Sequence, residues 1–115
     1  MISDSERAVC NIIAKKYDAL LEDLKLHVGT PTGGGNLKAI ERSRKLLTDR
    51  LEAIGAKTEL TPGEPKPEWL GSQLQIPPSS LSSNRKPGMP SVLIAGHLDT
   101  VHDPESPFNE LTIAP

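Results

Sequence analysis

The chain has 115 residues, of which 36% are hydrophobic and 3% aromatic, and its formal net charge is −2. This length predicts one domain with a modest aliphatic core, and the small negative charge excludes the basic surface that nucleic-acid partners need. We find neither a secretory signal nor an apolar run of the roughly 18–20 residues that a membrane span requires. Together with a lone cysteine, Cys10, which allows no internal disulfide, these features favour a cytoplasmic protein without a membrane partner.

The first predicted element is an amphipathic helix from about Ser5 to Leu26. Ser3 and Glu6 have the spacing of a capping box, in which each side chain bonds the other residue's backbone N–H. Apolar residues then recur at helical intervals. We expect Cys10, near the edge of this apolar stripe, to be a small packed thiol.

A glycine-rich loop, "HVGTPTGGGN", separates the first helix from a second. Asn36 is the predicted N-cap of the second helix, and Gly55 lies where a helix C-terminus favours a left-handed residue. The stripe of this helix consists of Leu37, Ile40, Leu47, Leu51 and Ile54. The alternation in "AKTELTP" predicts a short strand that ends at Pro62.

The chain changes character over residues 61–90, where prolines and serines dominate. The pattern predicts a loop or a partly disordered insertion, with a short extended piece at Gln73–Ile76. Trp69 stands alone here, and we expect it to anchor the loop by packing.

The apolar run "SVLIAG", Ser91 to Gly96, is typical of a strand buried on both faces. Two helices followed by strands indicate an α/β layer arrangement with a few mostly parallel strands. In open α/β sheets, ligands bind beyond the carboxyl ends of the strands, and His97 lies at that end. This interpretation predicts that His97 stands at the rim of an interior strand and not in solvent on an outer loop.

His97 and Asp99 are two residues apart, so in extended backbone they project to the same side, with Leu98 directed into the core. This pair suits a metal site, because a ligating histidine offers one ring nitrogen to the metal and the other to a carboxylate or carbonyl. His97 is therefore the candidate ligand for zinc or a similar divalent ion, and Asp99 the supporting carboxylate. The spacing alone also fits a surface hydrogen bond or a helix cap.

The segment "AGHLDTVHD" resembles the first metal-ligand motif of the M20 family of zinc metallopeptidases, in which a hydrophobic strand leads to His-x-Asp-Thr-Val. Val92 to Val101 matches that pattern. The segments "PFNELTIAP" and "VGTPTGGGN" also resemble family segments, and "VHDP" looks most like the carboxypeptidase branch. The resemblance covers most of the chain and fails mainly across Pro62–Pro90.

The resemblance implies that His97 is a zinc ligand and that Asp99 is a catalytic-site residue that orients or tunes it. It also implies two zinc ions per complete enzyme, with cobalt as a possible substitute, and a homodimeric parent protein. The implied reaction is hydrolysis of an amide or peptide bond next to a carboxylate, in a small peptide or an N-acyl amino acid.

We find no match to the family's remaining ligands, its general base or its dimerisation domain. The expectation is therefore that residues 1–115 form a partial catalytic domain with an incomplete sheet, inactive by itself. A catalytic zinc typically needs three protein ligands and an open position for water. His102, Asp103, Glu105 and Glu110 are further candidate ligands in a turn rich in proline.

Two other interpretations stay open. Gly33–Gly35 lacks the preceding strand and the Gly-Lys-Ser/Thr ending of a phosphate loop, but the helix N-terminus at Asn36 is a candidate neighbour of a substrate site. The rival function is a non-enzymatic interaction module with the Pro/Ser-rich stretch as a docking loop.

Overall fold

The computed structural model of the chain describes residues 1–33, 35–65, 67–70, 76–103 and 105–113. In these ranges the protein is a small mixed α/β molecule with three α-helices and a two-stranded antiparallel sheet. The chain divides into two compact units: Met1–Thr30 with Pro107–Pro115, and Pro31–Ser106. None of the described helices has the length and apolar character that a membrane crossing requires.

The first unit contains two helices, α1 (Asp4–Ala14) and α2 (Tyr17–Val28), where the sequence predicts one. The predicted capping box is confirmed, because the Ser3 side chain accepts from the Glu6 N–H and the Glu6 carboxylate accepts from the Ser3 N–H. At the break, Lys16 N–H donates to the Ile13 carbonyl, one residue short of the α-helical partner.

The apolar stripes of α1 and α2 contain no buried residue. Cys10 is exposed, so the prediction of a packed thiol is wrong. The capping and the periodicity thus specify these helices locally, and among the described residues their apolar sides are at most half-buried.

The second unit is organised around α3 (Leu37–Ala53), β1 (Lys57–Thr61) and β2 (Ser79–Ser83), with a 3₁₀ turn at Glu68–Leu70. Asn36 caps α3, as predicted, by accepting from the Ala39 N–H at 3.2 Å. Gly55 has φ +91°, the left-handed conformation expected after the helix. The predicted strand at Lys57–Thr61 is also confirmed.

The hairpin of β1 and β2 is antiparallel, with Lys57 opposite Ser83 and Thr61 opposite Ser79. The expectation of mostly parallel strands is therefore not confirmed for the described residues. Sequence analysis missed β2, because its serines have low strand propensity and Leu81 is its single apolar residue. The segment is a strand because it pairs with β1. Of the predicted extended piece at Gln73–Ile76, residues 73–75 lie outside the described residues.

The small core of this unit lies on the first half of α3, which packs against both strands. Its buried residues are Ala39 and Ile40, together with Thr32, Ser43 and Arg44. Trp69 is exposed, so the prediction that it anchors the proline-rich loop by packing is wrong.

Candidate functional site

The segment before His97 does not form the predicted buried strand. Residues 91–99 have no regular secondary structure, and Val92, Leu93 and Ile94 are 87%, 80% and 92% exposed. An interior strand needs hydrogen-bonded neighbours on both edges and cover on both faces. Among the described residues the sheet has two strands, and neither pairs with this segment. The prediction of a strand at Ser91–Gly96 is therefore wrong.

The His97 side chain is 82% exposed and contacts Asp99. Because it follows a segment without secondary structure, the prediction that His97 stands at the rim of an interior strand and not in solvent on an outer loop is wrong. Nδ1 of His97 lies 2.8 Å from the Asp99 backbone carbonyl oxygen and 3.3 Å from the Asp99 carboxylate oxygen Oδ1. The predicted proximity of the two residues is confirmed, although the shorter contact is to the backbone. Leu98, expected in the core, is half-buried.

This contact determines which ring nitrogen of His97 is available to coordinate a metal. A carbonyl oxygen only accepts hydrogen bonds, so Nδ1 of His97 must carry the proton and donate it. In the neutral ring, Nε2 then has the free lone pair that metal coordination uses. The surroundings of His97 therefore prepare one nitrogen ligand and direct it away from Asp99.

Two segments that are far apart in the sequence meet beside this pair. Gly33, in the glycine-rich loop, and Thr100, directly after Asp99, form an isolated parallel β-bridge. A Cβ atom on Gly33 would collide with the backbone carbonyl oxygen of His102. Residue 33 must therefore be glycine for the loop and the His-x-Asp segment to approach this closely.

His97 and Asp99 line a cleft of about 560 Å³ in the second unit. The first turn of α3 contributes Leu37, and its next turns contribute Ile40 and Arg44. The other side includes Ser79 and Ser80 at the start of β2. A space of this size, with apolar walls and a few charged groups, suits a small molecule.

Arg44 is the notable residue of the cleft that sequence analysis missed. Its side chain is 8% exposed, its Nη2 donates to the Glu41 carboxylate, and its Nη1 is buried without a hydrogen-bond partner among the described residues. A signal was available in the sequence. Arg44 occupies the apolar stripe of α3, four residues after Ile40 and three before Leu47.

As a zinc site, the described residues supply one prepared nitrogen and no complete ligand set. No group of three or more His, Cys, Asp or Glu side chains within these ranges is arranged to hold a metal ion. Catalytic zinc typically takes three protein ligands. His97 therefore fits one ligand position, and we derive no hydrolytic step from this chain.

Comparison of the chain with protein-family models, with curated proteins and with solved structures gave no match. The residues of the site and the motif resemblance described above therefore carry the functional interpretation.

Proposed function

We propose that this chain carries the first zinc-binding segment of a metallohydrolase that cleaves an amide or peptide bond next to a carboxylate. The observation that carries the proposal is the engagement of His97 Nδ1 by the Asp99 carbonyl, which leaves Nε2 as a metal ligand. The sequence "HLDTV" supports it through its resemblance to the M20 metallopeptidases. The position of His97 at the end of a buried strand, which the sequence predicted, is not found in the structure and so does not support the proposal.

His97 is the proposed zinc ligand, and Asp99 orients its ring through Nδ1. Further ligands and the base that activates water belong to other segments of a larger protein, for which we propose a homodimer with two zinc ions per chain. Small peptides and N-acyl amino acids are the proposed substrates. Their amide bond has to lie near Nε2, and the cleft beside His97 has room for such a molecule.

Titration of the chain with Zn²⁺, followed by NMR of the histidine ring nitrogens, tests the proposal. Nε2 of His97 is expected to shift first, while Nδ1 keeps its proton because it donates to Asp99. His97→Ala is expected to abolish the response, and His27→Ala, a control on α2, to leave it unchanged. An equal response of all the histidines, or an unchanged response in His97→Ala, rejects the assignment.

An activity assay tests the second half of the proposal. With one prepared ligand, the 115-residue chain supplemented with zinc is expected to show no amide hydrolysis. In a longer protein that contains the remaining ligands, His97→Ala is expected to remove most of the activity. Metal-dependent turnover by the short chain, free of contaminants, contradicts this account.

The second candidate function is the interaction module. It is favoured by the exposure of Trp69 and Met89 within the proline-rich stretch, since aromatic and methionine side chains are common anchors in interfaces. The pairing of β2 with β1 counts against a fully free docking loop. A chain that shows no selective zinc response at His97 but binds a protein partner through Trp69 favours this alternative.

A further inference from the structure

We propose that the cleft beside His97 and Asp99 binds a carboxylate group through the guanidinium of Arg44. This inference deepens the proposed function and rests on it for the choice of an acyl amino acid as the ligand. The binding itself needs no metal, so it can be measured separately from zinc coordination.

Arg44 is buried. It lies on the α3 face that carries the small core, one turn after Ile40, and the residue is 6% exposed. Arginine is almost never buried to this degree without partners, because its donors lose hydrogen bonds to water. A structural role alone is expected to satisfy all of those donors.

The guanidinium of Arg44 is incompletely hydrogen-bonded among the described residues. Nη2 donates to Glu41, whose own side chain is 58% exposed and well solvated, whereas Nη1 has no acceptor among the described residues. A buried donor without an acceptor is unfavourable, and such positions in native proteins call for an explanation. An acceptor that arrives with a ligand provides one.

Arg44 forms part of the wall of the cleft. The ionisable side chains that line this cleft among the described residues are Arg44, His97 and Asp99. The Asp99 carboxylate lies 3.3 Å from the His97 ring, so a second carboxylate beside that ring would be repelled. This favours Arg44 as the anion-binding group. Arginine donates charge-assisted hydrogen bonds to carboxylates, and these are stronger than bonds between neutral groups.

The volume and the lining of the cleft restrict the class of ligand further. The volume of about 560 Å³ accommodates a small molecule, and Ile40, Leu37 and Pro77 provide apolar wall on the same cleft. A short acyl amino acid has the necessary carboxylate, an amide and little else. Nη1 of Arg44 has almost no accessible surface in this structure, so the carboxylate would bond to the guanidinium after a small shift of the side chain that uncovers Nη1. The acyl part would lie against the apolar wall.

Binding of N-acetylglycine and of its neutral counterpart N-acetylglycinamide to the 115-residue chain tests the inference. The titrations use metal-free Tris-chloride buffer and are followed by NMR of the arginine side-chain nitrogens. The acid is expected to bind about tenfold more tightly than the amide, the ratio for a charge-assisted hydrogen bond near the lower end of its range. It is also expected to shift the Arg44 resonances selectively.

Two variants test whether Arg44 causes the preference for the acid over the amide. Arg44→Lys, which keeps the charge but loses the planar donor pair, is expected to remove most of the acid-over-amide ratio. Arg42→Lys is the matched control, because Arg42 is an exposed arginine on the same helix, and it is expected to keep the ratio. If Arg44→Lys does not fold, the acid/amide comparison and the Arg44 shifts in the unchanged chain decide the question.

Equal affinity for the acid and the amide, or acid-dependent shifts at every arginine alike, overturns the inference, and the buried donor is then satisfied by water. The same losses in Arg42→Lys and Arg44→Lys also overturn it. Failure of zinc to bind His97 leaves these titrations unaffected, so the inference and the proposed function fail independently.

Discussion

Helices α1 and α3 are both amphipathic and both begin with a side-chain cap, yet only α3 has a buried face. Ile12 on α1 is 56% exposed, whereas Ile40 on α3 is 8% exposed. The difference arises because the hairpin of β1 and β2 packs against α3. A cap and a periodic stripe are enough to specify a helix, but its contribution to stability depends on what covers the stripe.

The largest expected effect is a loss of stability that distinguishes the buried stripe of α3 from the exposed stripe of α1. Ile40→Ala is expected to lower the free energy of opening of α3 by about 2–3 kcal/mol, the low end for a buried isoleucine, because the core is small. Hydrogen exchange of the α3 amides measures it.

Ile12→Ala on α1 is the matched control for Ile40→Ala. Because Ile12 is more than half exposed, its replacement is expected to change the free energy of opening by less than about 0.5 kcal/mol. Similar losses for the two variants would mean that the α1 stripe is covered in solution, and the contrast between the helices would disappear.

The next largest effect concerns two glycines of the second unit, Gly33 and Gly96, which differ in how closely other atoms approach them. Gly33→Ala is expected to destabilise the unit by about 1–3 kcal/mol, because the new Cβ collides with the His102 carbonyl and forces the two loop segments apart. Loss of slow exchange in the α3 amides, and a shift of the Thr100 amide resonance, measure it.

Gly96→Ala provides the control for this collision, since a Cβ at Gly96 meets no atom within 4 Å. This variant is expected to leave the stability of the unit nearly unchanged. If Gly33→Ala is equally harmless, Gly33 and His102 do not approach each other closely in solution.

The smallest effect concerns the local stability of α1. Hydrogen bonds from the Ser3 backbone N–H and then its hydroxyl lower the pKa of Glu6 below its usual value. A lowered pKa means that the stabilisation is present above the unfolded pKa and is lost as the pH falls through the folded pKa. Backbone Cα chemical shifts of α1, recorded from pH 6 to pH 2, are expected to move towards coil values.

Ser3→Ala removes the side-chain half of this capping box and keeps the Ser3 backbone donor as an alanine N–H. It is expected to cost the helix about 1 kcal/mol at neutral pH and to weaken the pH dependence. An unchanged pH profile in Ser3→Ala would show that the backbone N–H of residue 3 alone, without the hydroxyl, lowers the pKa of Glu6.

Much of the local structure could be predicted from the residues, because the signals are local. The Ser3–Glu6 box, the Asn36 cap and the turn at Gly55 each depend on neighbouring residues and are all confirmed. The strand β2 had no such signal, since serine-rich sequence becomes a strand here through its pairing with β1.

The candidate site likewise has features that could be predicted from neighbouring residues and features that could not. The proximity of His97 and Asp99 follows from their spacing of two residues and is confirmed. The strand expected before them is wrong, because an apolar run becomes an interior strand only when other strands pair with it, and none does so among the described residues. The buried arginine in the cleft was missed, because periodicity assigns its position to the apolar stripe but cannot say what its guanidinium meets.

The sequence by itself determined where α1 and α3 begin, where β1 lies and which histidine has a carboxylate two residues away, but not the break between α1 and α2. The tertiary structure alone decided that β2 exists, that Gly33 bridges to Thr100 and that Arg44 is buried beside the cleft with a donor that has no acceptor among the described residues. The physical reason is the range of the interactions. Caps and turns act over a few residues, whereas burial and strand pairing depend on segments that the chain brings together from a distance.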